Sequence, residues 1–315
     1  MSNTAHDIVG VILAAGKGSR MSVLPTRLPK PVLPVLGEPI LYHQLRAMAE
    51  VGIRRVYVVV GERGYEVVRE LERLPRLGLQ IEYVEQTETH GIAHCVGCLE
   101  RYLDEPFLLF LGDIFFVAPR LHEMMDVFSR EQPDAVLAAI EETDTAAIRR
   151  NFCILTDESG RATRVIEKPR NPRSSIKGVG LYLFRPVVFD AIRRTPRTAM
   201  RDEYEITDSI QILIDDGYVV KTSFCVAKDR NVTAPADLLE INLEAIDRLG
   251  LDKHVGSDVL IESDAVIRHA VIGSRCRIGK RARVVDSVVF REVTVPEGAQ
   301  IERAIVTEQG VLRIG

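Results

Sequence analysis

Through the first half of the chain, short β-branched apolar runs alternate with longer stretches of helical period. Ile8–Ala15, Val56–Gly61, Gln80–Gln86, Phe107–Gly112 and Ala135–Ile140 are short, nearly continuous apolar runs and read as strands. Between them Glu38–Val51, Tyr65–Leu74, Gly91–Leu103 and Leu121–Arg130 repeat apolar residues at helical spacing. This βα alternation predicts an α/β fold with a mostly parallel sheet covered on both faces. From Asn151 the rhythm changes. Phe152–Thr156 and Arg164–Glu167 flank the polar stretch DESGRA as a hairpin would. Gly178–Phe184 and Val219–Val226 add strands around a helix at Asp208–Asp216, and Ala236–Leu249 reads as a linking helix ended by Gly250.

The tail follows a different period. Val255, Ile261 and Ile267 are spaced by six residues, as are Ile272, Ile278 and Val284, and Val289, Val295 and Ile301. Corresponding members lie 17 apart, and Val306 and Leu312 would begin a fourth turn. Small residues stand two positions before most of them, such as Ala265, Ala270, Cys276, Ala282 and Ala304. A period of six cannot keep one face of a helix apolar. A triangular coil with three short sides per turn can, with each aliphatic pointing inward at the same place on its side.

Composition narrows the class. The 315 residues exceed the usual size of one domain, and 46% hydrophobic with 27% charged residues suits a packed globular chain. Net charge is −4, from 41 basic and 45 acidic residues, which argues against a dedicated nucleic-acid binder. No apolar run is long enough to span a membrane and no basic segment leads into a signal-type core, so a cytoplasmic location is expected. The five cysteines are scattered and odd in number, unlike a disulfide framework. Cys95 and Cys98 form a C-x-x-C after His94, but no second pair completes a zinc site. They read as packed helix residues.

Candidate chemistry starts in the loop VILAAGKGSRMSVLPTRLPKP, Val11–Pro31. Gly16 and Gly18 let backbone N–H groups approach an anion, and Arg20 offers a fork for phosphate oxygens. The string is not a Walker loop, which needs G-x-x-x-x-G-K-[ST]. Nor is it a dinucleotide fingerprint, because Met21 stands where a third glycine would be and the prolines that follow forbid a helix.

LAAGKGSRM together with LPKPVLPV resembles the signature of the sugar-nucleotide pyrophosphorylases, nucleotidyltransferases that join a nucleoside triphosphate to a sugar 1-phosphate. YVEQTETHGIAHCV, LFLGDIFF, VIEKP, GVGLYLF and DEYEITD follow in the family's order over roughly 9–239. The tail resembles hexapeptide-repeat, left-handed β-helix domains, which this family also carries. The resemblance implies a Rossmann-like catalytic domain at 1–235, a linking helix at 236–250 and a β-helix at 251–315. It implies that a sugar-phosphate oxygen attacks the α-phosphorus in line while pyrophosphate leaves. Arg20, Lys30 and Lys168 would offset the repulsion of two polyanions. Leu13, Ala14, Ala15, Gly16, Gly18, Gln86 and Gly91 would seat the nucleotide, and Glu167 and Gly180 the sugar. Asp113 would hold Mg²⁺. Gln86 suits a pyrimidine, although glutamine also occurs where adenine is bound, and dTTP or UTP with glucose 1-phosphate is the expected pair. A homo-oligomer built through the β-helix is also expected.

Two positions depart from the family pattern. Phe152-Cys153 stands where an aromatic-glycine pair opens the hairpin, so a side chain at Cys153 would reshape the sugar pocket. Asn231 stands where a second metal-binding aspartate is usual, with Asp229 two residues earlier. Asn231 is expected at the metal through its amide oxygen, and Asp229→Ala is expected to be nearly silent. Two other classes remain open on these residues. One is a non-catalytic, ligand-sensing subunit. The other is a β-helix acyltransferase using His269. Deleting the tail after Gly250 is expected to alter the oligomer more than the chemistry.

Overall fold

The computed structural model describes residues 8–16, 21–86, 88, 90–198 and 202–315. Two compact units make up the chain. One takes Met1–Gly16, Gln44–Gly64 and Pro75–Asp229; the other takes Lys17–His43, Tyr65–Leu74 and Arg230–Gly315.

In chain order the elements begin with β1 (Val9–Ala14), β2 (Pro34–Val35), β3 (Glu38–Pro39), α1 (Ile40–Glu50) and β4 (Arg55–Val60). Then come α2 (Gly64–Glu72), β5 (Gln80–Glu85), α3 (Ile92–Gly97), β6 (Phe107–Leu111), β7 (Ile114–Val117) and α4 (Leu121–Glu131). After β8 (Ala135–Glu141) and α5 (Thr145–Arg150) the hairpin β9 (Phe152–Thr156) and β10 (Ala162–Glu167) leads into β11 (Ile176–Phe184). The series closes with α6 (Val188–Arg194), α7 (Ile206–Asp215), β12 (Val220–Ser223), β13 (Lys228–Asn231) and α8 (Pro235–Arg248).

In the first unit β1 is central, parallel to β4 on one side and β6 on the other, with β5 parallel beyond β4. β11 runs antiparallel to β6 along its second half, Leu181 opposite Phe110, and pairs with β9 along its first half, Gly178 opposite Phe152. Its other side pairs with β8 at both ends, with a register shift between Gly178 and Tyr182, and β12 is parallel to β8. The β9–β10 hairpin therefore stands on the same side of β11 as β6, just past the carboxyl end of β6. One face of the sheet packs Val11, Leu109, Tyr182 and Phe184 against residues of α3, α6 and α7. Phe107 stacks on Phe189 of α6 at 5.6 Å.

Several boundaries differ from the sequence reading. α1 starts at Ile40 because Glu38–Pro39 pairs back on Pro34–Val35 through Leu36 (φ 50°) and Gly37 (φ 79°). Two positive φ values in a two-residue loop match the twist of a hairpin. The helix expected to reach Leu103 stops at Gly97 and gives way to a 3-10 turn at Glu100–Tyr102. Only Val220–Ser223 of the expected Val219–Val226 strand is regular.

The second unit holds the tail. β14 (Lys253–Val255), β15 (Leu260–Ile261), β16 (Val266–Arg268), β17 (Ala270–Ile272), β18 (Arg277–Ile278) and β19 (Arg283–Val285) form its first two coils. β20 (Val288–Val289), β21 (Thr294–Val295), β22 (Gln300–Glu302), β23 (Ala304–Thr307) and β24 (Gly310–Arg313) complete it. The 17-residue period is borne out in register: Val255 pairs Ile272, Ile278 lies between Ile261 and Val295, and Val284 lies between Ile267 and Ile301. Leu312 departs from it. β24 turns back antiparallel on β23, Leu312 opposite Ile305, and closes the stack instead of extending it. Asn242 of α8, 0% exposed, fastens the β2–β3 turn. Its carboxamide accepts from the Leu36 N–H (2.9 Å) and donates to the Pro34 carbonyl (3.0 Å).

Candidate active site

Parallel strands leave a sheet at one edge, and open α/β sheets bind ligands outside that carboxyl edge. Leu13 lies between Val59 and Leu111, and Val60 lies opposite Glu85, so β1, β4, β5 and β6 end together. Ala14, Ala15 and Gly16 leave from β1, Gln86 from β5, and Gly112-Asp113 from β6. The Gly112 N–H donates to the Leu13 carbonyl (2.9 Å) and the Gln86 N–H to the Val60 carbonyl (2.8 Å), which holds these exits side by side. Because β11 is antiparallel to β6, its early residues lie at this same edge. Glu167, opposite Phe152 at the end of β10, is brought there by the hairpin.

Gln86 is 6% exposed. Its Nε2 lies 3.1 Å from Nδ1 of His94 and 3.7 Å from Sγ of Cys98, while its buried Oε1 has no hydrogen-bond partner among the described residues. Gly91 begins α3 at φ +105°, and a Cβ there would sit 2.4 Å from the Tyr204 carbonyl oxygen. A Cβ at Gly180 would lie 2.5 Å from Leu111 and 2.6 Å from Ile114. Both glycines thus have a packing reason of their own. The Glu167 carboxylate accepts from the Thr207 hydroxyl (3.3 Å) at the start of α7 and lies 3.3 Å from Nζ of Lys168. Lys168 itself is held at φ +41°, with its N–H on the Asn151 carbonyl (2.8 Å).

A nucleotidyl transferase family model matches residues 9–246, and a model described as GlmU-like, C-terminal hexapeptide matches 243–314. The chain belongs to the nucleotidyl transferase family. It is 30% identical over 299 residues to a glucose-1-phosphate thymidylyltransferase of Streptomyces antibioticus, spanning 94% of this chain and 80% of that one. It is 36% identical over 212 residues to a UTP–glucose-1-phosphate uridylyltransferase of Haloferax volcanii, spanning 67% and 85%. A solved UDP-glucose pyrophosphorylase with bound UDP-glucose shares the fold at a TM-score of 0.65 and 20% identity, over 76% of this chain and 99% of that chain. The expected activity, nucleotidyl transfer from a nucleoside triphosphate to a sugar 1-phosphate, is borne out at that level.

Four further residues are expected at the site of this nucleotidyltransferase. Gly18 and Arg20 lie outside the described residues. Lys30 and Asn231 belong to the second unit. Lys30 is half-buried and opens a 3-10 turn, Lys30–Val32, whose first N–H bond runs from Val32 to the Pro29 carbonyl (3.0 Å). Asn231 is exposed at the end of β13. Among the described residues no cluster of three or more His, Cys, Asp or Glu could hold a metal unaided. Asp113, a single carboxylate at the β6 exit, still suits Mg²⁺, a hard ion that takes one or two carboxylates and draws its remaining oxygens from substrate phosphates and water.

Two sequence readings need correction. Cys153 lies opposite Ile166, whereas Phe152 lies opposite Glu167, so the fully buried Cys153 side chain is on the face away from Glu167. Asp229 is committed to an ammonium: its Oδ1 lies 2.8 Å from Nζ of Lys177, with Glu142 at 3.5 Å. The sequence reading missed Lys177. Its signal was a lysine inside an otherwise apolar strand, where a charge has to find a partner. From sequence, His94 reads as part of the same packed helix as Cys95 and Cys98. Of these, Cys95 is buried on α3, its thiol pushed up to about 11 by burial, and Cys98 is exposed.

Proposed function

We propose that the chain makes a uridine or thymidine diphosphate sugar from UTP or dTTP and glucose 1-phosphate. The observation that carries this reading is the buried Gln86 amide, its acceptor unpartnered among the described residues, at the carboxyl edge that also gathers Ala14–Gly16, Asp113 and Glu167–Lys168. The backbone from Leu13 to Gly18, with Gln86 and Gly91, seats base and ribose. Glu167 accepts hydrogen bonds from sugar hydroxyls beside Gly180, and Lys168 holds the sugar phosphate. Lys30 steadies the α-phosphate and Arg20 the outer phosphates. With both anions fixed, an ionised phosphate oxygen of the sugar attacks the α-phosphorus in line, and no general base is required. Asp113, with the Asn231 amide oxygen, would hold Mg²⁺, which when bound supplies charge to neutralise the reacting phosphates. The five unpaired thiols support a cytoplasmic location, and exposed Leu249, Leu251, Leu260 and Ile261 around the first coil support a homo-oligomer formed through the tail.

Acyl transfer by the β-helix has less support. His269 has Nδ1 2.6 Å from Asp286 and Nε2 3.1 Å from Asp247, which leaves neither ring nitrogen to act as a base. A pyrophosphate-release assay of five triphosphates against a panel of sugar 1-phosphates tests the proposal. UTP or dTTP with glucose 1-phosphate should turn over fastest, and Lys30→Ala and Asp113→Asn should each lose about 10²-fold or more. No turnover with any pair would point to the ligand-sensing alternative.

A further inference from the structure

We propose that His94 is a positioning residue that fixes which end of the Gln86 carboxamide faces the base, so that the pocket selects bases carrying an imide N–H. The inference rests on the reading of Gln86 as the base contact. A carboxamide has a donor end and an acceptor end of nearly equal size, and its surroundings decide which is presented. Here both Nε2 hydrogens are directed into the protein, toward Nδ1 of His94 and Sγ of Cys98. The acceptor Oε1 is buried without a partner among the described residues, in a residue otherwise removed from water. A ligand that satisfies it must bring a donor.

Uracil and thymine present an imide N–H on the Watson–Crick edge, and guanine a lactam N–H; cytosine and adenine place a bare ring nitrogen there. The orientation holds only while Nδ1 of His94 is an acceptor, in a neutral imidazole with its proton on Nε2. Burial keeps the imidazole neutral, and the neighbouring His90 and Arg197 act in the same direction against Glu88. His90 meets the ring edge-on at 5.0 Å and Tyr204 stacks on it at 6.3 Å. His90 is itself bonded to Glu88 (3.2 Å) and Arg197 (3.2 Å). Protonation of His94 turns Nδ1 into a donor. The amide then has to reverse, presenting NH₂ where it presented oxygen.

The test is equilibrium binding of UTP and of CTP to the full chain at about pH 8 and about pH 5, on either side of the histidine range. Wild type should favour UTP by about tenfold or more at the higher pH, the worth of one well-placed hydrogen bond, and lose that preference at the lower pH. His94→Phe, which offers no acceptor, should show little preference at either pH. His94→Gln keeps an acceptor that does not titrate and retains His90, so it should keep the UTP preference at both. A wild-type preference that is absent, or the same at both pH values, overturns the proposal. So does a His94→Phe variant that is folded by circular dichroism yet discriminates as wild type does. If His94→Phe does not fold, wild type against His94→Gln decides. Binding is read apart from turnover: a chain that selects UTP but makes no sugar nucleotide fails the proposed function alone, and one that turns over UTP with an unchanged ratio fails this inference alone.

Discussion

Lys177 and Asp229 show how one buried side chain reassigns another. With side chains 7% and 4% exposed, the pair is almost out of water, and among the described residues Glu142 alone shares the ammonium. Removing one member of a buried pair leaves an uncompensated charge, which is costlier than losing the attraction itself. Asp229→Ala is therefore not silent: it should lower stability by about 3 kcal/mol, read as a shift of the urea midpoint without a change of slope. The double variant Lys177→Met/Asp229→Ala should recover most of that loss, because no charge is then stranded. If the double variant is no more stable than Asp229→Ala, the pair is not what makes Asp229 matter. Gly91 belongs to the same scale. Gly91→Ala would force a Cβ against the Tyr204 backbone at a φ that L residues rarely adopt. It should displace the α3 start and raise the KM for the triphosphate, and an unchanged KM would leave Gly91 as a turn residue with no part in nucleotide binding.

At the scale of elements, the tail separates what a sequence displays from what it hides. Its inward ladder was legible because each coil presents an aliphatic residue at the same phase, and phase survives substitution among Val, Ile and Leu. Its corners were not. Positive φ recurs at Asp258, Arg275 and Glu292, at Asp264, Arg281 and Gly298, and at His269, Asp286 and Arg303, so the same 17-residue step is carried mainly by charged side chains where glycine would have marked a turn. Charge substitutes for glycine by pairing along the stack: Arg275 with Glu292, His269 with Asp286. α5 and α6 escaped notice because six and seven residues are too few to display a helical period. The placement of candidate residues was legible where it depends on strand ends, as for Asp113 and Glu167. It was hidden where it depends on partners remote in sequence, as for Lys177, 52 residues from Asp229. The His269 corner yields a pH prediction. Asp286 first, and Asp247 of α8 with it, raise the pKa of His269 in the folded chain. The bonds should therefore stabilise the tail in full below the ordinary histidine value of about 6.5 and be lost as pH rises through the raised value. Its partial exposure keeps the effect small. Measured from pH 6 to 9 by thermal melts, the stability difference between wild type and His269→Gln should shrink as pH rises, and a constant difference would remove His269 as the titrating group.

For the whole molecule, the second unit changes what truncation should do. The tail is not an appendage to itself, since Lys17–His43 and Tyr65–Leu74 belong to the same compact unit as Arg230–Gly315. Leu28, Val32 and Pro34 line one side of an apolar cleft whose other side is Val271, Val288 and Phe290. The Thr307 hydroxyl donates to the Pro25 carbonyl, and Thr26 bonds Glu308 at 3.3 Å. Glu70, 2% exposed, is paired with Arg291 and lies 3.4 Å from Arg73. Cutting after Gly250 would uncover those apolar side chains and remove Arg291, one of the partners of a buried carboxylate, on both sides of the turn that carries Lys30. The earlier expectation, that truncation changes the oligomer and spares the chemistry, then reverses. Residues 1–250 should bind triphosphate at least about tenfold more weakly than the full chain, a loss of about 1.4 kcal/mol, whatever its mass by light scattering. A shorter cut after Thr307 separates the causes. It removes the β24 cap and Glu308 but keeps Arg291 and the cleft, so it should retain most of the affinity. Should the 1–250 chain bind triphosphate as tightly as the full one, Lys30 is held without the coils, and the tail serves assembly alone.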